Sequence, residues 1–440
     1  ATSRVIAGAT SGSTAKVGVG ATIAAAYQQD HVAAGVGNGS TVTATGDVKV
    51  GARAKNGIWA VTTADAVATG AGGATIGGSV NVIVTDTAAE ATVGDGARIQ
   101  TDADGVFALT SENETKLTLI SVSAGLGIGG QAAVGGTVAA LVNNNRSIAQ
   151  AGSKAVITAK DILVQATSRD QLLNILASAS GAGASAATAA GVIGVAITQS
   201  QTLAQVMQDS ELNALNGHIQ ILADNETEFI QAMLAATGSG ATLGVGASVN
   251  THLFDQSVIA RVGDRAKLIA RTGNVLVRAL ADNRSFDVLA AGSAGTGTAM
   301  LSGTVITVVS ETEATAELGN AVTVRANDSV GVVADASGII GSIGTAVGAT
   351  TGAASAGATA HTIVVENAIT ARVGDLADLI GYAATSMRAV SGVSQTGIEI
   401  PNREQRRRGL AVSATGDMRV YMGSGSGALA AGTAAVAGVV

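Results

Sequence analysis

Cysteine is absent, proline occurs once, and 440 residues hold one Trp, three Tyr and four Phe. Without cysteine there are no disulfide staples and no thiolate metal sites, a usage common in large bacterial surface proteins that cross an envelope unfolded. Without aromatics a core must be thin, or filled by small side chains, and a sugar-binding cleft loses its stacking platforms. Charge is sparse too: 13% of residues are Asp, Glu, Lys or Arg, the formal net charge is −7 and the pI is near 5.1. An acidic chain with so few cations disfavours nucleic acid as a partner. The start, Ala1 to Thr10, has no basic end followed by an apolar run, so no signal peptide is expected within this segment.

What fills the space is Gly (59 residues) and an apolar fraction of 47%, supplied mostly by Ala and Val. Val and Thr suit a pleated sheet and Gly penalises a helix, so the class expected is all-β. A mean hydropathy of +0.40 raises the question of a membrane. Gln171 to Gln208 carries no charge and is long enough to span a bilayer. However, Gly, Ala, Ser and Thr dominate it, no basic flank accompanies it, and similar runs recur at Phe229–Phe254, Val288–Ser310 and Ala336–Val365. Recurrence points to a repeat, and no membrane span is expected.

The repeat shows in two anchors. Segments such as Asp47–Asn56, Gly105–Asn113, Asp161–Asp170, His218–Glu226, Asn274–Asn283, Ser329–Ser337 and Asp417–Gly425 align without gaps, with a period near 56 residues until the last. Their first inward residues read as Val48, Val106, Ile162, Ile219, Val275, Val330 and Met418. A second anchor lies upstream at Gly37, Gly94, Gly152, Gly263, Gly319 and Gly374; the fourth member, around Met207, lacks the glycine and implies a turn formed differently or shifted. Within each repeat the pattern has period two, with Val275, Val277 and Ala279 on one face and Leu276, Arg278 and Leu280 on the other. Polar clusters such as "SENE", "SRDQ" and "ADNR" read as turns after each strand, and the Gly/Ala-rich phases as backbones in close approach. A unit that cannot bury its own apolar face stacks on copies of itself. The expectation is a parallel (right-handed) β-helix or β-solenoid of about seven repeats of roughly 56 residues, one solenoid over 1–440 and a segment of something longer. Two or three coils per repeat are the simplest reading, with one very wide coil as the alternative.

The Gly/Ala-rich strand followed by Val80–Ser111, "VNVIVTDTAAEATVGDGARIQTDADGVFALTS", resembles the repeats of bacterial filamentous adhesins of the haemagglutinin and leukotoxin-like type. The resemblance covers nearly the whole chain, while the secretion-domain hallmarks of that family are not visible in it. It implies a large, secreted, extracellular β-helix displayed at a cell surface.

The repeat breaks at 381–410, where the only proline, Pro401, and the densest cationic cluster, Arg403, Arg406, Arg407 and Arg408, occur. The cluster reads as a solvated loop tip or as a contact for an anionic ligand or partner, since guanidinium forks suit carboxylate and phosphate. The four histidines, His31, His218, His252 and His361, lack metal-ligand spacing and read as outward or turn residues. Asp95, Asp264 and Asp375 recur in "VGDxA" turns and read as turn formers rather than calcium ligands. No catalytic, cofactor or metal residues are identified, and no cofactor is expected. The function expected is structural and non-enzymatic: an adhesin shaft or extracellular filament whose partner is itself, end to end or laterally, or a ligand on a host or neighbouring cell. A polysaccharide-binding or polysaccharide-degrading β-helix is the alternative.

Overall fold

A computed structural model describes residues 2–13, 17–70, 73–128, 132–183, 187–240, 242–382 and 409–440. The fold is all-β. Each coil contributes one long strand to sheet A, a second long strand to sheet B and a three- or four-residue strand to sheet C, and all three sheets are parallel. Thus Phe107–Gly127 runs out along sheet A, Ala132–Ala151 returns along sheet B, and Val156–Ala159 closes the coil in sheet C. Sheets A and B have eight strands and sheet C seven. The period is therefore one very wide coil, with strands of 20 and 21 residues, rather than two or three short ones. The Gly/Ala-rich phases are the far halves of these strands, where sheet A turns back into sheet B.

The cross-section is a wedge, and side-chain size sets its taper. At the wide end, aliphatic ladders from all three sheets meet: Ile162, Ile219 and Val275 from A, Val206, Val262 and Leu318 from B, and Leu212, Leu268 and Val324 from C. Full burial of each such side chain stabilises by about 1.5–3 kcal/mol. Toward the thin edge the two long sheets approach closely. A Cβ on Gly77 would lie 2.1 Å from the Ala124 carbonyl oxygen, and one on Gly135 would lie 2.4 Å from that of Ala179. Small residues here let 20-residue strands keep one face buried along their whole length.

Register corrects two alignments. Val48 pairs with Phe107, not Val106, and Phe107 is an inward, fully buried residue. Val330 pairs with Leu410, so Met418 stands eight positions later, opposite Gly338. The extra length of this coil falls at the sheet C to sheet A corner, since described residues leave it at Tyr382 and resume at Gly409. Outward positions at the start of sheet A, Leu163, Leu222 and Leu276, are themselves buried against one another.

The polar clusters read as turns lie inside the strands of sheet A, facing inward. Asn113, Ser168, Asp170, Asn225, Thr227 and Asn283 form a buried polar belt across the wedge. They are tolerated because sheet B answers them: Asn113 Nδ2 donates to Thr87 Oγ1 at 2.9 Å, Thr115 Oγ1 to Asn145 Oδ1 at 3.1 Å, and Gln256 Nε2 to Thr227 Oγ1 at 2.6 Å. Beyond a second apolar cluster that includes Leu119, Leu141, Leu176 and Phe229, the thin edge is joined by hydroxyls. Thr62, Ser121, Ser79, Thr137, Ser123 and Ser178 run in a hydrogen-bonded chain with spacings of 2.5 to 3.3 Å.

Candidate functional site

At the B-to-C turn of all seven coils one residue has positive φ: Gly39, Gly96, Lys154, Asp209, Arg265, Ala321 and Leu376, at 52° to 63°. The coil lacking the glycine makes the same turn through Met207 and Asp209, unshifted. The Asx residues there bridge coils rather than closing their own turn: Asp95 Oδ1 accepts from the Ser153 N–H at 2.7 Å, and Asp264 Oδ1 from the Asn320 N–H at 2.7 Å. The glycine is needed because its absent side chain leaves room for that bridge; a Cβ on Gly152 would sit 2.7 Å from Asp95 Oδ1. A second ladder runs along the C-to-A corner. Asp161 Oδ1 accepts from the His218 N–H at 2.7 Å, His218 Nδ1 from the Asn274 N–H at 3.0 Å, and Asn274 Oδ1 from the Ser329 N–H at 2.9 Å. The carboxylates of Asp95, Asp161 and Asp264 are thereby occupied in coil stacking, Asp375 joins through its backbone N–H, which donates to Asn320 Oδ1 at 2.9 Å, and among the described residues no group of three or more His, Cys, Asp or Glu could hold a metal ion.

The histidines divide. His31 is outward, 3.5 Å from Glu90, and His218 belongs to the corner ladder. His252 and His361 are not outward. His252 is wholly buried between Phe229 and Phe254, with ring centroids at 3.7 and 3.5 Å, and neither ring nitrogen has a hydrogen-bond partner among the described residues. Burial holds it well below the usual histidine range, so it is neutral. His361 faces inward, its Nδ1 3.2 Å from Ser342 Oγ, and burial lowers it as well. Alternation decides both: each occupies an inward position of a 20-residue strand, in register with Ile306 or Val308.

Two carboxyls in the interior hold their protons up to near neutral pH. Burial pushes Asp170 up to about 7, partly opposed by the neighbouring polar side chains of Asn143 and Thr115. Asp287 is likewise raised to about 7 by burial, although Ser285 and Asn250 donate to it. Neither opens to solvent, so neither can meet a substrate.

A groove of about 620 Å³ lies on the outer face of sheet B. Gln29, Asp86, Asn144, Gln199 and Asp255 line it in one row along the axis, one residue per coil, with His31, Arg146, Gln201 and Ser257 in the next. Gln29 Nε2 donates to Asp86 Oδ2 at 3.2 Å, and Arg146 pairs with Glu90. Amides and carboxylates repeating at coil spacing can hydrogen-bond an extended polar ligand. Asp86 and Asp255 stand three coils apart, about 14 Å, wider than the separation of about 5 to 9.5 Å between paired catalytic carboxyls. This groove was missed in the sequence because its residues are some 56 positions apart; only strand register gathers them. Arg403, Arg406, Arg407 and Arg408 lie outside the described residues. Among the described residues no helix is long and apolar enough to cross a membrane. The chain matches no family model, no curated protein and no solved structure.

Proposed function

We propose that the chain is a non-enzymatic structural element of a bacterial cell surface, forming an elongated β-solenoid that serves as an adhesin shaft or an extracellular filament. The observation that carries this reading is the unbroken register. From Thr2 to Ala430, strands of sheet A pair without a shift, and the polar side chains at both turns are spent on holding one coil to the next. Stability in such a stack is close to a sum of coil and neighbour contributions, which makes length, not a pocket, the property the sequence maintains. Electron microscopy of the purified chain tests it: straight rods or filaments whose length scales with coil number are expected, and compact particles would overturn it.

The groove on sheet B favours a second reading, a surface that binds polysaccharide along the axis. Glycan-array or calorimetric titration with neutral and anionic polysaccharides distinguishes the two, with Asn144→Ala and Gln199→Ala as the variants that lose binding under the second reading. If heparin is retained instead through the cationic insertion, substituting Arg403, Arg406, Arg407 and Arg408 together with Ser abolishes retention while leaving the melting temperature of the solenoid unchanged.

A further inference from the structure

The thin half of the wedge is apolar on its outside as well as within. Inside, Ser, Thr, Gly and Ala stand beside Ile83, Leu141, Ile306 and Val308 of the second apolar cluster; outside, on sheet B, stands a broad apolar field. It consists of the outward positions of the segments 17–27, 74–84, 132–142, 187–197, 243–253, 299–309 and 354–364. All of these are Ala, Gly, Val, Ile, Leu or Tyr except Thr251, Thr307 and Thr362. These are the charge-free runs that raise the mean hydropathy. The side chains are open to solvent: Ile76 is 49% exposed, Ile193 45% and Val305 42%. At about 3.3 Å per residue and 4.8 Å per strand the field measures about 36 by 34 Å, or about 1,200 Å². That exceeds both the largest apolar patch of an ordinary monomer, about 300–600 Å², and the roughly 800 Å² per partner of a standard interface.

The relief of this field is ordered. Six rows run along the axis, and they differ in size. The row through Gly78, Gly136, Gly191 and Gly303 is a furrow; a Cβ on Gly136 or Gly191 would meet nothing within 4 Å. The row beside it, through Ile23, Val80, Val138, Ile193, Val249 and Val305, is a β-branched ridge. Outside this pair stand the large rows through Ile76 and Val84, the Ala-rich row through Ala132, and a row of intermediate size through Ala25, Val82, Ala140, Val195 and Thr251. One margin of the field is the acidic row containing Asp86, Asp255, Glu311 and Glu366; the other is the turn into sheet A.

We propose that this face pairs with the same face of a second copy of the chain, with the two solenoids side by side and pointing the same way. The inference rests on the structural reading above and names the surface by which such solenoids associate laterally. The direction follows from size and charge together. A twofold axis parallel to the solenoid, passing between the furrow and the ridge, sets ridge on furrow, the row of Val84 on the Ala-rich row of Ala132, and the row of Ile76 on the intermediate row of Ala140. It also sends the two acidic margins to opposite edges of the interface. A twofold axis along the strands would set ridge on ridge, furrow on furrow and acid on acid, and like charges across an interface are costly. The same acidic margin, with no cation in the field, weighs against a bilayer as the occupant, because the cytoplasmic and many outer leaflets are anionic.

Sedimentation of the full chain tests the pairing. A dimer is expected. Gly191→Val fills the furrow and Val138→Lys charges the ridge; both side chains point outward, so an unchanged circular dichroism melt shows an intact fold. Each should weaken self-association by about a hundredfold or more, since either a clash or an unpaired buried charge is introduced. Gly191→Ala, matching Ala247 in the next coil, should keep it. Because the chain has no cysteine, single Gln29→Cys, Gln199→Cys and Glu366→Cys variants accept one spin label each. Same-direction pairing gives one separation of about 45 Å at all three sites, whereas opposed pairing gives a short separation at 199 and longer ones at 29 and 366. A monomer at every concentration, a dimer indifferent to Gly191→Val and Val138→Lys, opposed distances, or uptake by phosphatidylcholine vesicles in place of self-association would each overturn the pairing. Monomeric rods in the microscope would leave the solenoid-shaft reading standing while removing this one; compact particles would remove the shaft.

Discussion

Asp170→Asn should make the protein more stable, and by an amount that depends on pH. The carboxyl is wholly buried in the polar belt, accepts from Asn145 through Oδ1, and has no partner for Oδ2 among the described residues. Its surroundings, Thr115, Asn143 and Asn145, are neutral, so no charge offsets the desolvation that raises it from 3.8 to about 7. A folded-state value above the unfolded one means that, between about pH 4 and pH 7, the unfolded chain is ionised and the fold is not. Stability therefore falls as pH rises through that window and levels off above it. A shift of about three units corresponds to about 4 kcal/mol at full ionisation. Asparagine keeps the oxygen that Asn145 needs and cannot ionise. Guanidinium unfolding of parent and variant at pH 4 and pH 8, followed by circular dichroism, should show little difference at pH 4 and a gain approaching about 4 kcal/mol at pH 8. Equal gains at the two pH values, or a loss at pH 8, would refute the assignment of Asp170 as a buried acid that ionises only near neutral pH.

His252→Leu should also stabilise, with the opposite pH dependence. Burial lowers the histidine in the fold, so its penalty appears as pH falls below about 6.5, where the unfolded chain takes up a proton and the fold does not. Melting temperatures should differ more at pH 5 than at pH 8, and a constant difference would argue that the ring is hydrated in the fold. Gly77→Val should cost about 3 kcal/mol, because its Cβ would press on the Ala124 carbonyl oxygen, a backbone atom that cannot swing away. The outward Gly191→Ala serves as the neutral comparison, and an unaltered melt for Gly77→Val would show that the thin edge is open rather than close-packed.

Composition and alternation were sufficient for the class, the repeat and its period. A chain poor in Leu, Phe and charge but rich in Val, Ala and Gly suits thin sheets rather than helices, and recurrence at about 56 residues shows in the turn glycines whatever the coil shape. Inward and outward faces were also readable where one face stays aliphatic, as at Val275, Val277 and Ala279. What alternation could not show is where a strand ends. Asn113, Ser168 and Asn283 look like turn residues in a linear sequence, because a polar cluster inside a strand is satisfied only by a partner on another sheet, such as Thr87, Ser200 or Ser310. The same blindness divided one wide coil into several short ones and shifted the last repeat by eight residues. It also left His252 and His361 on the surface, and left the groove through Gln29, Asp86 and Asn144 unseen. Periodicity along the chain is a local property set by backbone geometry, and the sequence by itself determined it. The distance between sheets, the side chains that answer one another across it, and the rows that line up along the axis are set by register between residues some 56 apart, which only the tertiary structure decided.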